Sequence, residues 1–392
     1  MKEKPYPPLW ILFALLVPIL ALYYKISPEG FHFDLVDAHV YAVAIHDWLS
    51  GQDAYRITPQ ASLLFVYPPV FLYAVGWLAR LLTPQVGWMV FLTLHFAASL
   101  ALPWILYRSY LRESDCTLPG FYWLFFAAPG FLGLLALRTG NIAVICWAAM
   151  LLAGSLGLIR NRWFVFYVVV FLCCSIKITF LPILLLPALC GRKQWPGIAV
   201  CAIAAAAGLW SQRWLAPTLY EHFQRNLKMQ ASVMGDVGKG AFGILFHILH
   251  KAHHHGLLIP IAGYAIVALA VIAALVALSR RGRAGSFVSW PALVLIGILF
   301  MTPRVNYYDL CLGFPLAIVM LVRVLEIKNP YLLYVCLFVP SIAFLVRSPD
   351  TALNGGYEAM TILVFFFLTY AVLAKAQPIL VKRVVEKREP HT

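Results

Sequence analysis

Charged residues are scarce in this chain, and acidic residues are the scarcest of them. Only 12% of its 392 residues are charged whereas 62% are hydrophobic, and 16 Asp and Glu stand against 30 Lys and Arg. The apolar runs repeatedly approach or exceed the roughly 20 residues that cross a ~30 Å hydrocarbon layer. The composition therefore predicts an all-α polytopic membrane protein.

Several patterns that would point elsewhere are also missing. Segments 198–209 and 257–278 are apolar on every face, without the alternation of a membrane barrel strand. The eight Cys residues show neither metal-ligand spacing nor a disulfide framework. No clear cleavage site follows the apolar run 9–24, so we expect an uncleaved first span. No inverted repeat of the transporter kind is visible.

The basic residues lie in short clusters at the ends of apolar runs. Although the formal charge is +14, this placement indicates positive-inside topology and no nucleic-acid partner. The clusters are Arg160-Asn161-Arg162, Arg192-Lys193, Arg280-Arg281-Gly282-Arg283 and the tail 375–392. We expect both termini in the cytoplasm of a bacterial plasma membrane, with the tail contacting anionic membrane lipids.

The apolar runs predict a single domain over 1–392 with about 12 transmembrane helices. The expected spans are 8–24, 61–83, 85–107, 119–137, 141–159, 163–190, 196–214, 257–279, 285–302, 309–326, 330–346 and 356–374. Strict alternation conflicts with the positive-inside rule, because Arg108–Arg112 and Arg160–Arg162 would then face outward. One alternative makes 163–190 two half-spans that meet near Lys177, with a compensating irregularity between 61 and 137.

Two loops expected on the outer face are long, about 25–60 and 215–256, and long ordered loops usually carry function. In the first, apolar residues recur at i, i+3 and i+4, which predicts a short interfacial helix over 37–50 that Gly51 closes. These apolar residues are Val40, Tyr41, Ala44, Ile45 and Trp48. Their face is expected to rest on lipid or on the spans beneath.

Asp37 stands at the start of this interfacial helix. Its carboxylate either caps the free N–H groups of the helix or serves as a general base for an acceptor hydroxyl. Asp34 is the nearby second carboxylate and a candidate for the same site. Tyr67-Pro68-Pro69, at the next helix start, is either a cap or a rigid corner that holds the loop.

Lys177 places an ammonium group in the middle of an apolar run. Such a charge marks a cavity, a partner or a ligand, and an anionic substrate group fits it, with snorkelling or an ion pair as alternatives. Two polar breaks carry further candidates, Arg138-Thr139-Gly140-Asn141 and 303–309. The first is equally well a turn, whereas the second favours a binding site in which the planar fork of Arg304 holds a phosphate.

A histidine cluster lies in the second long loop. His247, His250 and His254 share helical spacing, but no Cys or carboxylate completes a metal site. A solvated or headgroup-facing loop is favoured over a metal site, and no metal is predicted. The preceding segment 235–243 is rich in glycine and is a candidate lid.

Taken in order, these segments resemble the GT-C glycosyltransferases and, within them, glycosyltransferase family 87, the polyprenol-phosphate-mannose-dependent mannosyltransferases. The matching motifs are Asp37-x-x-x-Tyr41, Gly51-x-x-x-Tyr55, Tyr67-Pro68-Pro69, Gly140-Asn141, Lys177 with Pro182, and 303–309. The resemblance implies a GT-C-like bundle. It also implies inverting transfer of a hexose, mannose in that family, from a polyprenyl-phosphate donor to a lipid-linked or glycan acceptor on the outer face.

The resemblance also assigns roles to individual residues. Asp37 is the expected catalytic base, and Lys177, Arg304 and Arg138 are expected to neutralise the donor phosphate. The remaining substrate-binding candidates are Tyr41, Tyr55, Tyr67, Asn141, Asn306, Tyr307, Tyr308 and Asp309. No cofactor is expected, because the donor carries its own lipid anchor. Two alternatives remain: a transporter or flippase for a lipid-linked or anionic solute, and a non-catalytic assembly subunit.

Overall fold

The computed structural model describes residues 35–56, 64–111, 116–127, 132–232, 237–251, 256–280, 289–325 and 351–375. Within these ranges the regular structure is entirely helical, as the apolar composition predicts. Asp34, the expected spans 8–24 and 330–346, and the tail after residue 375 lie outside the described residues. The full span count and the chain termini therefore stay predictions.

The described helices are numbered here in chain order. They are α1 Val36–Leu49, α2 Pro69–Leu81, α3 Pro84–Ile105 with a π-helical turn Leu106–Leu111, α4 Leu118–Ala127, α5 Leu132–Thr139, α6 Ile142–Arg160, α7 Trp163–Ile176 and a 3₁₀ segment Ile178–Leu185. They continue with α8 Leu186–Leu189, α9 Trp195–Leu215, α10 Pro217–Ser232, α11 Ala241–Lys251, α12 Leu258–Arg280, α13 Trp290–Met301, α14 Tyr307–Val324 and α15 Thr351–Lys375. Among them α3 with its π turn, α6, α9, α12 and α14 are long and apolar enough to cross a membrane.

Helix α1 forms where the apolar periodicity of the first long loop predicts it. Tyr41 and Ala44 are buried, and the face that they mark packs against α2 and α5. The helix ends at Leu49, and Gly51 takes the left-handed backbone, φ 74°, of the turn that follows. The apolar face of this helix therefore rests on protein. We call the end of the bundle next to α1 the upper end.

Helix α2 corrects the predicted span over 61–83. Its 13 residues rise about 20 Å, which is less than a ~30 Å hydrocarbon layer. It lies along α1: the ring of Trp48 packs edge-on against Tyr73, 5.5 Å between centroids, and occupies the space beside Gly76. Residues 57–63 lie outside the described chain. The helix itself lies beside α1 at the upper end of the bundle.

This correction removes the conflict over charge. Helix α3 begins at the upper end, where Trp88 and Phe91 contact His39 and Tyr41 of α1. It ends at the opposite end, where the Ser289 hydroxyl donates to the Leu111 carbonyl at 2.6 Å. Helix α6 also starts beside α1 and runs the same way.

The described residues of three basic clusters lie at the lower end of the bundle. Arg323 donates to the Ser289 hydroxyl at 3.1 Å, and Trp290 donates to the Leu189 carbonyl, three residues before Arg192, at 2.8 Å. The described basic residues of this end include Arg108, Arg160, Arg162, Arg192, Lys193, Arg280 and Arg323. Other described basic residues, among them Arg213, Arg225 and Arg304, lie at the upper end, so the side of the membrane that each end faces stays a prediction.

The long run 163–190 breaks at Lys177, as the half-span interpretation predicts. Helix α7 ends at Ile176, Lys177 is extended with φ −149° and ψ 99°, and the 3₁₀ segment follows. Pro182 and Pro187 lie after the break, and proline cannot continue an ordinary α-helix interior. The predicted span 119–137 is also divided, into α4 and α5.

Helices α13 and α14 form the centre of the bundle. Nearly every side chain from Ala292 to Met301 and from Tyr308 to Met320 is buried. Helices α9 and α12 lie at the periphery and expose apolar side chains such as Val200, Ile203 and Ile266. Such exposure suits helices that face lipid.

Candidate active site

A polar cluster forms at the upper end, where α1 meets the start of α6. The Asn141 Nδ2 atom donates to Asp37 Oδ2 at 2.9 Å, across 104 residues of chain. Asp37 lies in the first turn of α1, but the N-cap residue is Leu35. The interpretation of Asp37 as the N-cap is therefore wrong, because its carboxylate turns to Asn141.

The backbone around this contact is closely packed. Gly140 has φ 65°, and a Cβ atom there would lie 2.9 Å from the Cβ of Ala38. The Leu35 amide donates to the Arg138 carbonyl at 3.0 Å. Only glycine combines this backbone with so close an approach. The predicted break 138–141 is thus a turn that holds α1 in place.

Two tyrosines continue the cluster from α1 towards α2. The hydroxyl oxygens of Tyr41 and Tyr67 lie 2.7 Å apart, and the Ile142 amide donates to the Tyr41 oxygen at 3.3 Å. Burial raises the pKa of both hydroxyls, and the nearby charge of Asp37 raises each further. Both groups are therefore neutral phenols over the physiological pH range.

Lys177 supplies the positive charge on the other side of the cluster. Its Nζ atom donates to the Tyr308 hydroxyl at 2.7 Å and lies 4.4 Å from the centre of that ring. Asn306 Nδ2 donates to the same hydroxyl oxygen at 2.8 Å. Since a phenol oxygen accepts two bonds and donates one, Tyr308 keeps its proton for a further acceptor.

Asp309 braces the loop between α13 and α14. Its Oδ1 atom accepts from Trp147 Nε1 at 2.6 Å, and its Oδ2 atom accepts from the Asn306 amide at 2.7 Å. The residue is only 1% exposed. Asp309 thus holds the backbone of Asn306 in place. A contact between Asp309 and a substrate stays a prediction.

Arg304 lies on the same loop and is half-buried. Gly238, with φ 89°, packs so closely that a Cβ there would lie 2.8 Å from Arg304 Cγ. The Lys239 amide donates to the Val305 carbonyl at 2.6 Å. Segment 237–240, part of the predicted lid, is therefore in contact with the loop that carries Arg304.

The two sides of the cluster meet at Tyr67. Burial raises the pKa of the Tyr67 hydroxyl. Tyr308 and Asp37 raise this pKa further, and Arg304 lowers it. The Tyr67 hydroxyl therefore lies near a carboxylate from α1 and a guanidinium from the loop before α14. Together these contacts form a polar cluster at the upper end of the bundle.

Comparison with known families identifies the family of the chain. The sequence model of glycosyltransferase family 87 matches residues 65–303, more than half of the chain. The chain belongs to glycosyltransferase family 87. The matched range contains Tyr67, Asn141 and Lys177, whereas Asp37 and Arg304 lie outside it. No curated protein and no solved structure matches the chain significantly.

This family 87 glycosyltransferase holds its first long loop with polar contacts that periodicity does not reveal. Tyr55 is fully buried, and its hydroxyl donates to the Tyr67 carbonyl at 2.7 Å. Asn226 of α10 donates to the carbonyls of Tyr55 and Phe65 at 2.9 and 3.2 Å. Gln212 of α9 accepts from the Val70 amide at 2.9 Å, at the start of α2.

Sequence reasoning missed Asn226 and Gln212, together with Trp147 and His95, whereas it had proposed Tyr55 as a substrate contact. His95 is fully buried in α3, and its Nε2 atom donates to the Leu137 carbonyl at 3.0 Å, just before the turn that carries Asn141. A usable signal existed, because a polar residue inside an apolar run must find a partner. The partners themselves lie on other helices.

The remaining predicted residues of the glycosyltransferase are placed as follows. Arg138 and Tyr307 are both half-buried, and Arg138 lies at the turn beside Leu35. In the histidine cluster, His250 stacks on Phe246 with 5.7 Å between ring centroids. His253–His255 fall outside the described residues, as does Asp34.

An ion pair between exposed Arg56 and buried Asp47 fixes the end of α1, and its loss should lower stability. Arg56 forms a bidentate contact with Asp47 at 2.6 and 2.8 Å, and the Asp47 side chain is 2% exposed. Arg56→Met leaves that carboxylate buried without its partner. We expect the free energy of unfolding to fall by about 1–3 kcal/mol, discounted towards the lower value because Arg56 is 46% exposed.

Thermal unfolding in detergent, followed by tryptophan fluorescence, measures this loss. Arg56→Lys serves as the matched control, because it keeps the charge but not the planar fork. Its unfolding temperature should lie between those of the wild type and Arg56→Met. An unfolding temperature of Arg56→Met equal to that of the wild type would show that the pair does not stabilise the loop.

Proposed function

We propose that this glycosyltransferase moves a hexose, specifically mannose, from a polyprenyl-phosphate donor to a lipid-linked or glycan acceptor. Asp37 acts as the general base on the acceptor hydroxyl. Lys177 and Arg304, with Arg138 at the adjoining turn, neutralise the departing polyprenyl phosphate. The anomeric carbon undergoes a single displacement, so its configuration inverts.

The observation that supports this proposal most strongly is the convergence at Tyr67. On one side of it Asn141 holds the Asp37 carboxylate, and on the other Lys177 and Asn306 converge on the Tyr308 hydroxyl. A base within reach of an acceptor and a preorganised set of donors for developing negative charge are the two requirements of the reaction. A phosphate leaves as a stable anion, so no general acid is needed.

The distribution of charge supports a site on the outer face of the membrane. The described basic clusters gather at the end opposite to Asp37, and such clusters usually face the cytoplasm. A donor with a polyprenyl anchor would reach such a site from within the membrane. The proposed acceptor is likewise reached from outside.

A transfer assay with purified protein tests the proposal. Polyprenyl-phosphate mannose, polyprenyl-phosphate glucose and GDP-mannose are each offered with a mixed pool of lipid-linked and glycan acceptors. We expect new glycosidic bonds with the lipid-phosphate mannose and none with the nucleotide sugar. Transfer from GDP-mannose would contradict the donor assignment. Movement of labelled lipid-linked sugar across proteoliposomes without a new bond would favour a transporter.

A further inference from the structure

The geometry points to Asn141 as the residue that positions the Asp37 carboxylate, rather than as a contact for substrate. This inference rests on the proposed function, because it concerns the base of that reaction. It assigns a role that neither residue type nor spacing reveals.

Both ends of the Asn141 amide are engaged, so its orientation is determined. Its Oδ1 atom accepts from the Ala143 amide at 2.8 Å, at the start of α6. A backbone N–H can only donate, so the oxygen must face Ala143 and the NH₂ group must face Asp37. The residue is 4% exposed. Its side chain therefore has little surface left for a substrate.

The backbone on both sides is fixed as well. Leu35 has a left-handed φ of 42°, unusual for a residue with a branched side chain, and its amide donates to the Arg138 carbonyl at 3.0 Å. Gly140 packs on Ala38, the neighbour of Asp37. A strained backbone of this kind persists only where the surrounding contacts hold it in place, and such positions are often functional sites.

A hydrogen bond to the charged form of a carboxylate favours that form and fixes its direction. Other titratable groups near Asp37 and Asn141 are Tyr41 on the same helix α1, Tyr67 from the segment before α2, and His95 of α3, which contacts the backbone of Asn141. Arg138 lies at the adjoining turn of α5. None of these groups is changed by substitution of Asn141, so a shift in the pH profile reports the amide contact.

Two variants separate the cap role of Asn141 from its role as a donor. Asn141→Ser and Asn141→Asp both keep an acceptor for the first turn of α6, but neither provides the NH₂ group. For Asn141→Ser we expect kcat to fall about 10-fold to 100-fold, with KM for both substrates unchanged. The acidic limb of the pH–kcat profile should move up by about 0.5–1 pH unit.

In Asn141→Asp the second carboxylate should move the acidic limb further in the same direction, because like charges disfavour ionisation. The control is Asn161→Ser at the far end of the same helix, where the wild-type side chain accepts from Trp163 at 3.0 Å. Its pH profile should match the wild type. Either Asn141 variant suffices for the test, so poor folding of one does not end it.

An unmoved acidic limb in the Asn141 variants would overturn the inference, and a raised KM with an unmoved limb would place Asn141 on a substrate instead. The parallel measurement on Asp37→Asn keeps this result separate from the proposed function. If Asp37→Asn retains full activity, the assignment of the base has failed. If Asp37→Asn is inactive and the Asn141 profiles do not move, only the positioning role has failed.

Discussion

Replacing Asp37 with Asn should lower the transfer rate by about 10²-fold to 10⁴-fold, the usual contribution of a general base. The amide has the shape of the carboxylate but cannot accept the proton of the acceptor hydroxyl. Because Asp37 does not cap α1, the helix should keep its stability. We therefore expect kcat to fall with little change in KM for the donor, measured by transfer of labelled sugar.

Glu221→Gln provides the matched control for this experiment. Glu221 is an exposed carboxylate on α10, also on the upper side of the bundle, and its replacement removes one negative charge without touching the cluster. It should retain wild-type activity. If Asp37→Asn were as active as this control, Asp37 could not be the base.

Replacing Lys177 with Met should lower kcat by about 10²-fold to 10³-fold, as removal of one preorganised donor to developing charge does elsewhere. The ammonium group donates to Tyr308 at 2.7 Å, so its loss also frees that phenol from its position. The variant should remain folded, because it exchanges a costly charge in an apolar run for a methionine of similar length.

The control for Lys177→Met is Lys193→Met, an exposed lysine at the lower end. It removes the same charge far from the cluster, and the donor kinetics should not change. Both variants are compared by varying the polyprenyl-phosphate donor at saturating acceptor. Unchanged donor kinetics in Lys177→Met would remove Lys177 from the proposed phosphate site.

The parts of the fold that the sequence predicted correctly depend on local signals. Helix α1 follows from the spacing of Tyr41, Ala44 and Trp48, which places them on one face. The break at Lys177 follows from a charge within an apolar run. In both cases the decisive residues are neighbours in the chain.

The span predicted over 61–83 was wrong because residues 64–68 are not helical and the helix begins only at Pro69, which leaves 13 residues, too few to cross a ~30 Å hydrocarbon layer. Helix α2 is apolar enough for a membrane, but Trp48 packs beside Gly76 and Gln212 binds the Val70 amide. Those partners come from α1 and α9. Only the tertiary arrangement reveals that this short helix lies at the upper end of the bundle.

The site shows the same division. Lys177 stands out in the sequence as a charge within an apolar run, and Asp37 and Arg304 stand out in polar segments between apolar runs, so their chemistry could be proposed from it. Their partners could not be, since Asn141 is 104 residues from Asp37 and Tyr308 is 131 residues from Lys177. The positioning contacts of Trp147 and Asn226 were missed for that reason.

The anomeric configuration of the product tests the central claim most directly. In the proposed reaction Asp37 acts on the acceptor hydroxyl and the phosphate leaves directly, which is a single displacement. NMR of the product from purified protein and polyprenyl-phosphate mannose of known configuration gives the answer from one coupling constant. We predict that the anomeric carbon of the transferred sugar has the opposite configuration in the product to that in the donor. Retention of the donor configuration would contradict it.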